Sequence, residues 1–151
     1  MPATNQMFGP AVENMFKGQF DLSEDVVKVA LFSAYVFNED HASLAQIKAA
    51  GTEASGTGYS AGGATLTHGT ADAVTYADGI ISFGENAEDT EWESSTITAS
   101  FAVVYVDAAT DAERLGLCVI DFDGEESSVD GTFKIDWHQL GIFRATANPS
   151  G

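Results

Sequence analysis

The stretch Thr132-Phe133-Lys134-Ile135-Asp136-Trp137 alternates strictly between polar and apolar side chains. Successive side chains of a strand point to opposite sides, so the three apolar members share one face and the three polar members the other. This alternation is typical of an antiparallel sheet with one face on the core and one in water. It predicts a strand here, with Trp137 in the core.

Similar runs of β-branched and aromatic residues recur along the chain, and the two strongest cover residues 26–35 and 95–107. Weaker strand signals cover residues 64–67, 73–76, 80–83, 115–122 and 140–145. Residues 52–63, 85–93 and 123–131 are rich in Gly, Ser, Thr or acids and are predicted to be loops. This spacing favours a single, mainly β domain over residues 1–151, an antiparallel β-sandwich or flattened barrel of about seven or eight strands.

Two short helices complete the predicted fold, near residues 8–17 and 39–50. Phe8, Val12, Met15 and Phe16 lie at helical spacing, with Pro10 suited to a first helical turn. Gly18 is predicted to end this helix, Asn38 to cap the second and Gly51 to close it. The first helix has an apolar face, so residues 1–20 are predicted to be a docking segment.

The net charge narrows the range of partners. The chain has 151 residues, 23 acidic and 6 basic, for a formal net charge of −17. Nucleic acid and anionic membranes are therefore not expected as partners, because binding to either needs lysine and arginine. No apolar run is long enough for a membrane span and no secretory signal is visible, so synthesis in a cytoplasm is expected. The tail 146–151 is expected to be flexible.

One motif suggests catalysis. Gly58-Tyr59-Ser60-Ala61-Gly62 matches the G-x-S-x-G nucleophile elbow, and Asp121 or Asp130 and then His138 follow in the required order. The elbow needs an apolar strand before the serine and a helix after it, and the flanking sequence favours neither. The weak G-x-G-x-x-A pattern of residues 56–61 lacks the same context for a dinucleotide. A Gly-rich loop is the favoured interpretation, and no enzyme activity and no cofactor are expected.

No metal site is expected either. Residues 121–126 resemble part of a calcium loop but lack its full spacing, and residues 85–93 form a second acidic cluster. Solvated loops explain both clusters, although weak binding of divalent cations at an interface stays open. His41, His68 and His138 lack the spacing of zinc ligands.

Four residues are predicted to contact a partner. Phe8, Met15 and Phe16 belong to the apolar face of the first helix, and Trp92 lies in the acidic segment 85–93. The single cysteine, Cys118, lies in an apolar strand and is predicted to be a small buried residue.

Several blocks resemble a family of small virion structural proteins of tailed bacteriophages. The blocks are Asn5-Gln6-Met7-Phe8-Gly9-Pro10, Val27-Lys28-Val29-Ala30-Leu31, Ser55-Gly56-Thr57-Gly58-Tyr59 with Gly62-Gly63-Ala64-Thr65-Leu66, Thr96-Ile97-Thr98-Ala99 with Ala102-Val103-Val104-Tyr105, Asp121-Phe122, and Gly131-Thr132-Phe133 to Trp137 with Gly141-Ile142. They cover nearly the whole chain in order, and none carries catalytic residues. The segments around Trp92 and after Phe122 are more charged than the family pattern, so their contacts are expected to differ.

The resemblance implies a part of a phage particle. A small, acidic, β-rich domain in that setting suits a capsid decoration protein, which binds the outer shell and stabilises its expanded lattice. The major capsid protein is then the expected partner and the capsid surface the expected location. A homo-oligomer stays open. The alternative is a tail, baseplate or fibre module that touches host receptors, and a minor alternative is a serine esterase using Ser60.

Overall fold

A computed structural model describes residues 4–68, 73–85, 87–137 and 141–146. Within these ranges the fold is mainly β, with two short helices and antiparallel sheets in a sandwich-like arrangement. This confirms the predicted fold class. The elements in chain order are β1 Thr4–Met7, α1 Gly9–Phe16, β2 Val27–Tyr35, α2 Leu44–Ala50, β3 Gly51–Glu53, β4 Ala64–Thr65, β5 Val74–Ala77, β6 Ile80–Phe83, β7 Thr90–Val106, β8 Leu115–Ile135 and β9 Phe143–Thr146.

The larger sheet has the strand order β1-β8-β7-β2-β3, with β4 also paired to β2. The smaller sheet has the order β5-β6-β9. All pairs are antiparallel. Neither sheet closes on itself within the part of the chain that the structure describes. The sandwich is therefore the right one of the two predicted architectures, and the flattened barrel is not formed.

The core lies on the middle strands of the larger sheet. Residues 29–32 of β2, 102–106 of β7 and 116–120 of β8 are buried without interruption. Continuous apolar runs of this kind suit strands that are covered on both faces. Cys118 is among them, as predicted, and burial raises the pKa of its thiol to about 12.

The outer half of the β7–β8 hairpin has one dry and one wet face. Phe133, Ile135 and Trp137 are buried, while Lys134 and Asp136 are exposed. The alternation that predicts a half-buried strand over residues 132–137 is confirmed, although β8 itself ends at Ile135. The indole of Trp137 donates a hydrogen bond to the Thr90 hydroxyl at 2.9 Å.

The predicted loop over residues 123–131 is wrong, because this segment belongs to β8. Its extra residues are accommodated as bulges opposite β7, at which Asp123 and Asp130 adopt φ of 57° and 46°. A buried hydrogen bond of 2.7 Å joins the hydroxyls of Ser95 and Ser128 across the pair. Pairing with β7 therefore keeps this segment in a strand, although its polar composition is typical of a loop.

The acidic loop 85–93 is also shorter than predicted, because β7 begins at Thr90. Glu91 pairs with Lys134 and Trp92 with Phe133 across the hairpin. The second half of the acidic segment therefore belongs to the sheet.

The first helix closely matches its prediction. α1 covers Gly9–Phe16, has Pro10 in its first turn, and is followed by Gly18 at φ 68°. The second helix begins later than predicted, at Leu44, and Ser43 rather than Asn38 is its N-cap. Asn38 instead accepts a hydrogen bond from the N–H of Asp40 in a local turn.

The end of α2 is as predicted, because Gly51 is the C-cap and the chain passes directly into β3. The predicted last strand, 140–145, corresponds to β9, with residue 140 outside the described ranges. Of the predicted flexible tail, residue 146 ends β9 and residues 147–151 lie outside the described residues.

Candidate functional site

The G-x-S-x-G motif does not form a nucleophile elbow. Ser60 is exposed in a turn-rich connection between β3 and β4, and the next regular element after it is a strand rather than a helix. Asp121 and Asp130 lie on β8, and His138 lies outside the described residues. The backbone at Ser60 therefore lacks the strand–turn–helix geometry that exposes a catalytic serine.

Loop 52–63, whose first two residues are the end of β3, is fixed by hydrogen bonds within it and to the larger sheet. The Tyr59 hydroxyl donates to the Glu53 carboxylate at 2.8 Å and accepts from the Leu31 N–H at 3.0 Å. The Tyr105 hydroxyl donates to the Gly62 carbonyl at 2.5 Å. Burial raises the pKa values of both phenols, so they remain neutral donors. These hydrogen bonds give the loop a defined conformation against β2 and β7.

A network of ion pairs lies beside this loop. Lys48 contacts Glu53 at 3.2 Å and Asp111 at 3.0 Å, and Arg114 contacts Asp107 at 2.9 Å and Asp111 at 2.6 Å. Hydrogen bonds from Lys48 and Arg114 hold the pKa of Asp111 below its usual range. The network ties α2 and β3 to the connection between β7 and β8, and every charge in it has a partner. Its geometry indicates a structural role.

The acidic segments do not assemble a metal site within the described ranges, where no group of three or more potential ligands converges. Asp121 accepts a hydrogen bond of 2.8 Å from the N–H of Asp123 in the β8 bulge. Asp89 pairs with Lys134 at 2.9 Å. These carboxylates shape a bulge and a hairpin.

Two of the three histidines have packing roles. The Nδ1 atom of His41 lies 2.7 Å from the Tyr35 hydroxyl. His68 packs edge-on against Phe83, with ring centroids 5.4 Å apart.

An open cleft of about 560 Å³ lies along β8 between its bulge and the segment after Gly141. Phe122, Phe133 and Trp137 are among its lining residues. The rings of Phe133 and Trp137 are buried by the chain itself, so they do not form an exposed platform for a flat ligand. The rim carries Lys134, which is already paired with Asp89.

The four predicted contact residues separate into two groups. Phe8 is 0% exposed and stacks on Phe37, and Trp92 is 5% exposed between Tyr59 and Phe133. Both are core residues in this structure and offer no surface to a partner, which corrects their predicted role. Met15 is half-buried, whereas Phe16 is 88% exposed. These two remain candidates for contact.

Three more apolar side chains are exposed near α1, on the β5–β6 hairpin: Val74, Tyr76 and Ile81. The sequence predicts both strands but not this exposure. Asp78-Gly79 is typical of a two-residue hairpin turn, but it does not indicate which apolar side chains of the hairpin are exposed.

No family model, curated protein or solved structure matches this chain. Among the described residues, no helix is both long enough and apolar enough to cross a membrane.

Proposed function

We propose that this chain is a structural protein of a tailed-phage virion, and specifically a capsid decoration protein that binds the outer face of the shell. The resemblance of its sequence blocks to small virion proteins suggests the particle as the setting. The observation that carries a binding role is Phe16, a large apolar side chain that is almost fully exposed at the end of α1. Val12, one helical turn away, is also exposed, and adjacent exposed apolar side chains favour contact with another protein.

The physical basis of the proposed role is repetition. A single copy has a modest apolar surface, but a capsid lattice presents the same site many times. The net charge of −17 keeps free copies apart and soluble until they meet the shell. The acidic surface is also suited to face away from packaged DNA, because it repels phosphate.

Quantitative mass spectrometry of gradient-purified phage particles tests this proposal. We expect the copy number of the chain to equal that of the major capsid protein or a simple fraction of it. A second gradient purification in the same buffer is the control against adsorbed material. A few copies per particle would favour the tail, baseplate or fibre alternative, and complete absence would contradict both.

A serine-directed activity probe tests the remaining alternative. We expect no labelling of the folded chain, because Ser60 lies in a turn without elbow geometry. Labelling of the natural chain that is lost in Ser60→Ala would contradict the proposal and favour a hydrolase.

A further inference from the structure

Helix α1 has apolar side chains on two sides. Phe8, at its N-cap, and Ala11 are fully buried against the sheet. Val12 and Phe16 are one helical turn apart on another side and are exposed. Burial on the sheet explains the first pair, whereas nothing in the described chain covers the second.

The β5–β6 hairpin exposes apolar side chains in the same way. Tyr76 lies opposite Ile81, and Val74 lies on the same face two residues before Tyr76. Tyr76 is 70% exposed, and the other two are also exposed. Asp78 and Gly79, at φ 51° and 80°, form a two-residue turn that carries this face out into solvent.

A groove of about 520 Å³ joins the two regions. Met15 of α1 and Val74 of β5 both line it, together with Phe20 and Leu22. The two regions therefore meet at Met15 and Val74, with Val12 and Phe16 on the adjoining side of the helix. Tyr76 and Ile81 lie further toward the hairpin turn, beyond the buried pair partner of Val74, Phe83. We call the two regions together the docking surface and define it by Val12, Met15, Phe16, Val74, Tyr76 and Ile81.

Acidic residues lie beside the docking surface. Asp21 and Asp25 line the groove, and Asp78 lies at the hairpin tip. The one basic residue of the helix segment, Lys17, is already paired with Glu13 at 2.5 Å. Two hydrogen bonds from Ser23 hold the pKa of Asp21 below its usual range, so it stays charged near neutral pH. A second copy of this chain would bring like charges together, whereas a basic partner would bring opposite ones.

From these observations we infer that the docking surface binds an apolar projection, surrounded by lysine and arginine, on a different protein. The inference rests on the proposed function, in which that protein is the capsid shell. It adds the face of the molecule that makes the contact and the chemistry of the site that receives it. The aromatic side chains supply the contact area, and the acids select the partner and its orientation.

The test uses shells assembled without this chain and the full-length purified protein. In the double variant Phe16→Ser/Tyr76→Ser we expect the dissociation constant for shells to rise about tenfold or more, the effect of losing two aromatic anchors. The control is Val36→Ser/Val129→Ser, which removes two smaller but similarly exposed apolar side chains outside the docking surface. It is expected to bind within about twofold of the natural chain. Unchanged thermal midpoints establish that both variants are folded.

Salt dependence tests the chemistry of the partner. Binding to shells is expected to weaken severalfold between about 50 mM and about 300 mM NaCl, because salt screens the attraction of acids for bases. In Asp21→Asn/Asp25→Asn this dependence is expected to shrink. Self-association through the docking surface would show the opposite sign, because salt screens the repulsion between two acidic copies.

The outcomes separate this inference from the proposed function. If the natural chain does not bind shells, the proposed function fails and this inference fails with it. If it binds and Phe16→Ser/Tyr76→Ser binds equally well, the function stands and the docking surface is wrong. Binding to shells that strengthens with salt, or a dimer that salt stabilises and that variant abolishes, would contradict the basic partner.

Discussion

The central sheet and the docking surface contain the same kinds of apolar side chain, but the sheet buries them and the docking surface exposes them. Phe8 and Phe16 show the contrast within a single helix segment. Phe8 stacks on Phe37 and is fully buried, while Phe16 is almost fully exposed at the other end of α1. Apolar character alone predicts a contact for both residues. Only the packing of α1 against the sheet decides which contact is internal.

Truncating these two phenylalanines is expected to give the largest difference. Phe8→Ala removes a fully buried ring and should lower the free energy of unfolding by about 3–5 kcal/mol. Phe16→Ala removes an exposed ring and should change it by about 0.5 kcal/mol or less. Urea unfolding followed by tryptophan fluorescence measures both. Equal losses in the two variants would mean that α1 does not divide the core from the docking surface as described.

Two glycines extend the comparison to the backbone. Gly63 and Gly18 have similar φ values, 77° and 68°. A Cβ at Gly63 would lie 1.8 Å from the Val29 carbonyl oxygen, whereas a Cβ at Gly18 would meet nothing within 4 Å. Gly18→Ala should cost about 1 kcal/mol, the conformational penalty alone. Gly63→Ala should cost about 3 kcal/mol or more, because the loop must move away from β2.

Equal unfolding midpoints for these two variants would contradict the close packing of loop 52–63 against β2.

The parts of this fold that could be predicted from sequence are those in which local pattern and tertiary packing agree. The continuous apolar run at 26–35 suits a strand covered on both faces, and the alternation at 132–137 suits a strand with one buried face. The structure places each segment in that environment. The loop prediction for residues 123–131 is wrong because it rests on their composition, and Gly, Ser and acids are typical of loops. Pairing with β7, including the buried contact of Ser95 with Ser128, overrides that composition. β1 and β3 have little apolar signal and are held by backbone pairing with β8 and β2.

The candidate site could be predicted only in part. The helical spacing of residues 8–16 correctly identifies an amphipathic helix, but it does not show which apolar residues face the sheet. Trp92 has acidic neighbours in sequence, yet the rings that surround it, Tyr59 and Phe133, come from distant segments. The hairpin contribution of Val74, Tyr76 and Ile81 depends on where the smaller sheet lies beside α1. Local sequence carries no information about that placement.

The carboxylate of Asp111 belongs to the internal ion-pair network, whereas that of Asp21 lies at the groove. Their substitutions should therefore differ in their effect on stability. Asp111→Asn should lower the free energy of unfolding at pH 7 by about 1 kcal/mol, because Lys48 and Arg114 lose their shared partner. The folded-state pKa of Asp111 is lowered, so its contribution is present above the unfolded pKa and is lost as pH falls through the folded value. The difference from the natural chain should therefore shrink between about pH 5 and pH 2.

Asp21→Asn is the control, and we expect a smaller change in stability because this exposed residue has no ion-pair partner among the described residues and its amide oxygen can still accept the hydrogen bonds from Ser23. A stability difference for Asp111→Asn that stays constant down to pH 2 would contradict the charge-based origin of its effect.

The smallest expected effect is that of salt on the thermal midpoint, through the repulsion between acidic residues over the whole surface. Only five of the 23 acidic residues are paired in the described ion pairs, so repulsion acts on most of the chain. Adding about 0.3 M NaCl should raise the thermal midpoint by a few degrees at pH 7 by screening this repulsion. Near the isoelectric point of about 4.1 the increase should disappear. A midpoint that falls with salt at pH 7 would show that the ion pairs outweigh the repulsion.

Photo-cross-linking inside assembled particles tests most directly whether the docking surface, and not another exposed apolar position, contacts the shell. A photoreactive phenylalanine analogue is placed at Phe16, and in a matched sample at Val129, which is also exposed but lies on β8. We expect position 16 to cross-link to a lysine- and arginine-rich segment of the shell protein, and position 129 to give little cross-linking. Cross-links from position 129 to the shell and none from position 16, or cross-links from position 16 only to other copies of this chain, would contradict the account.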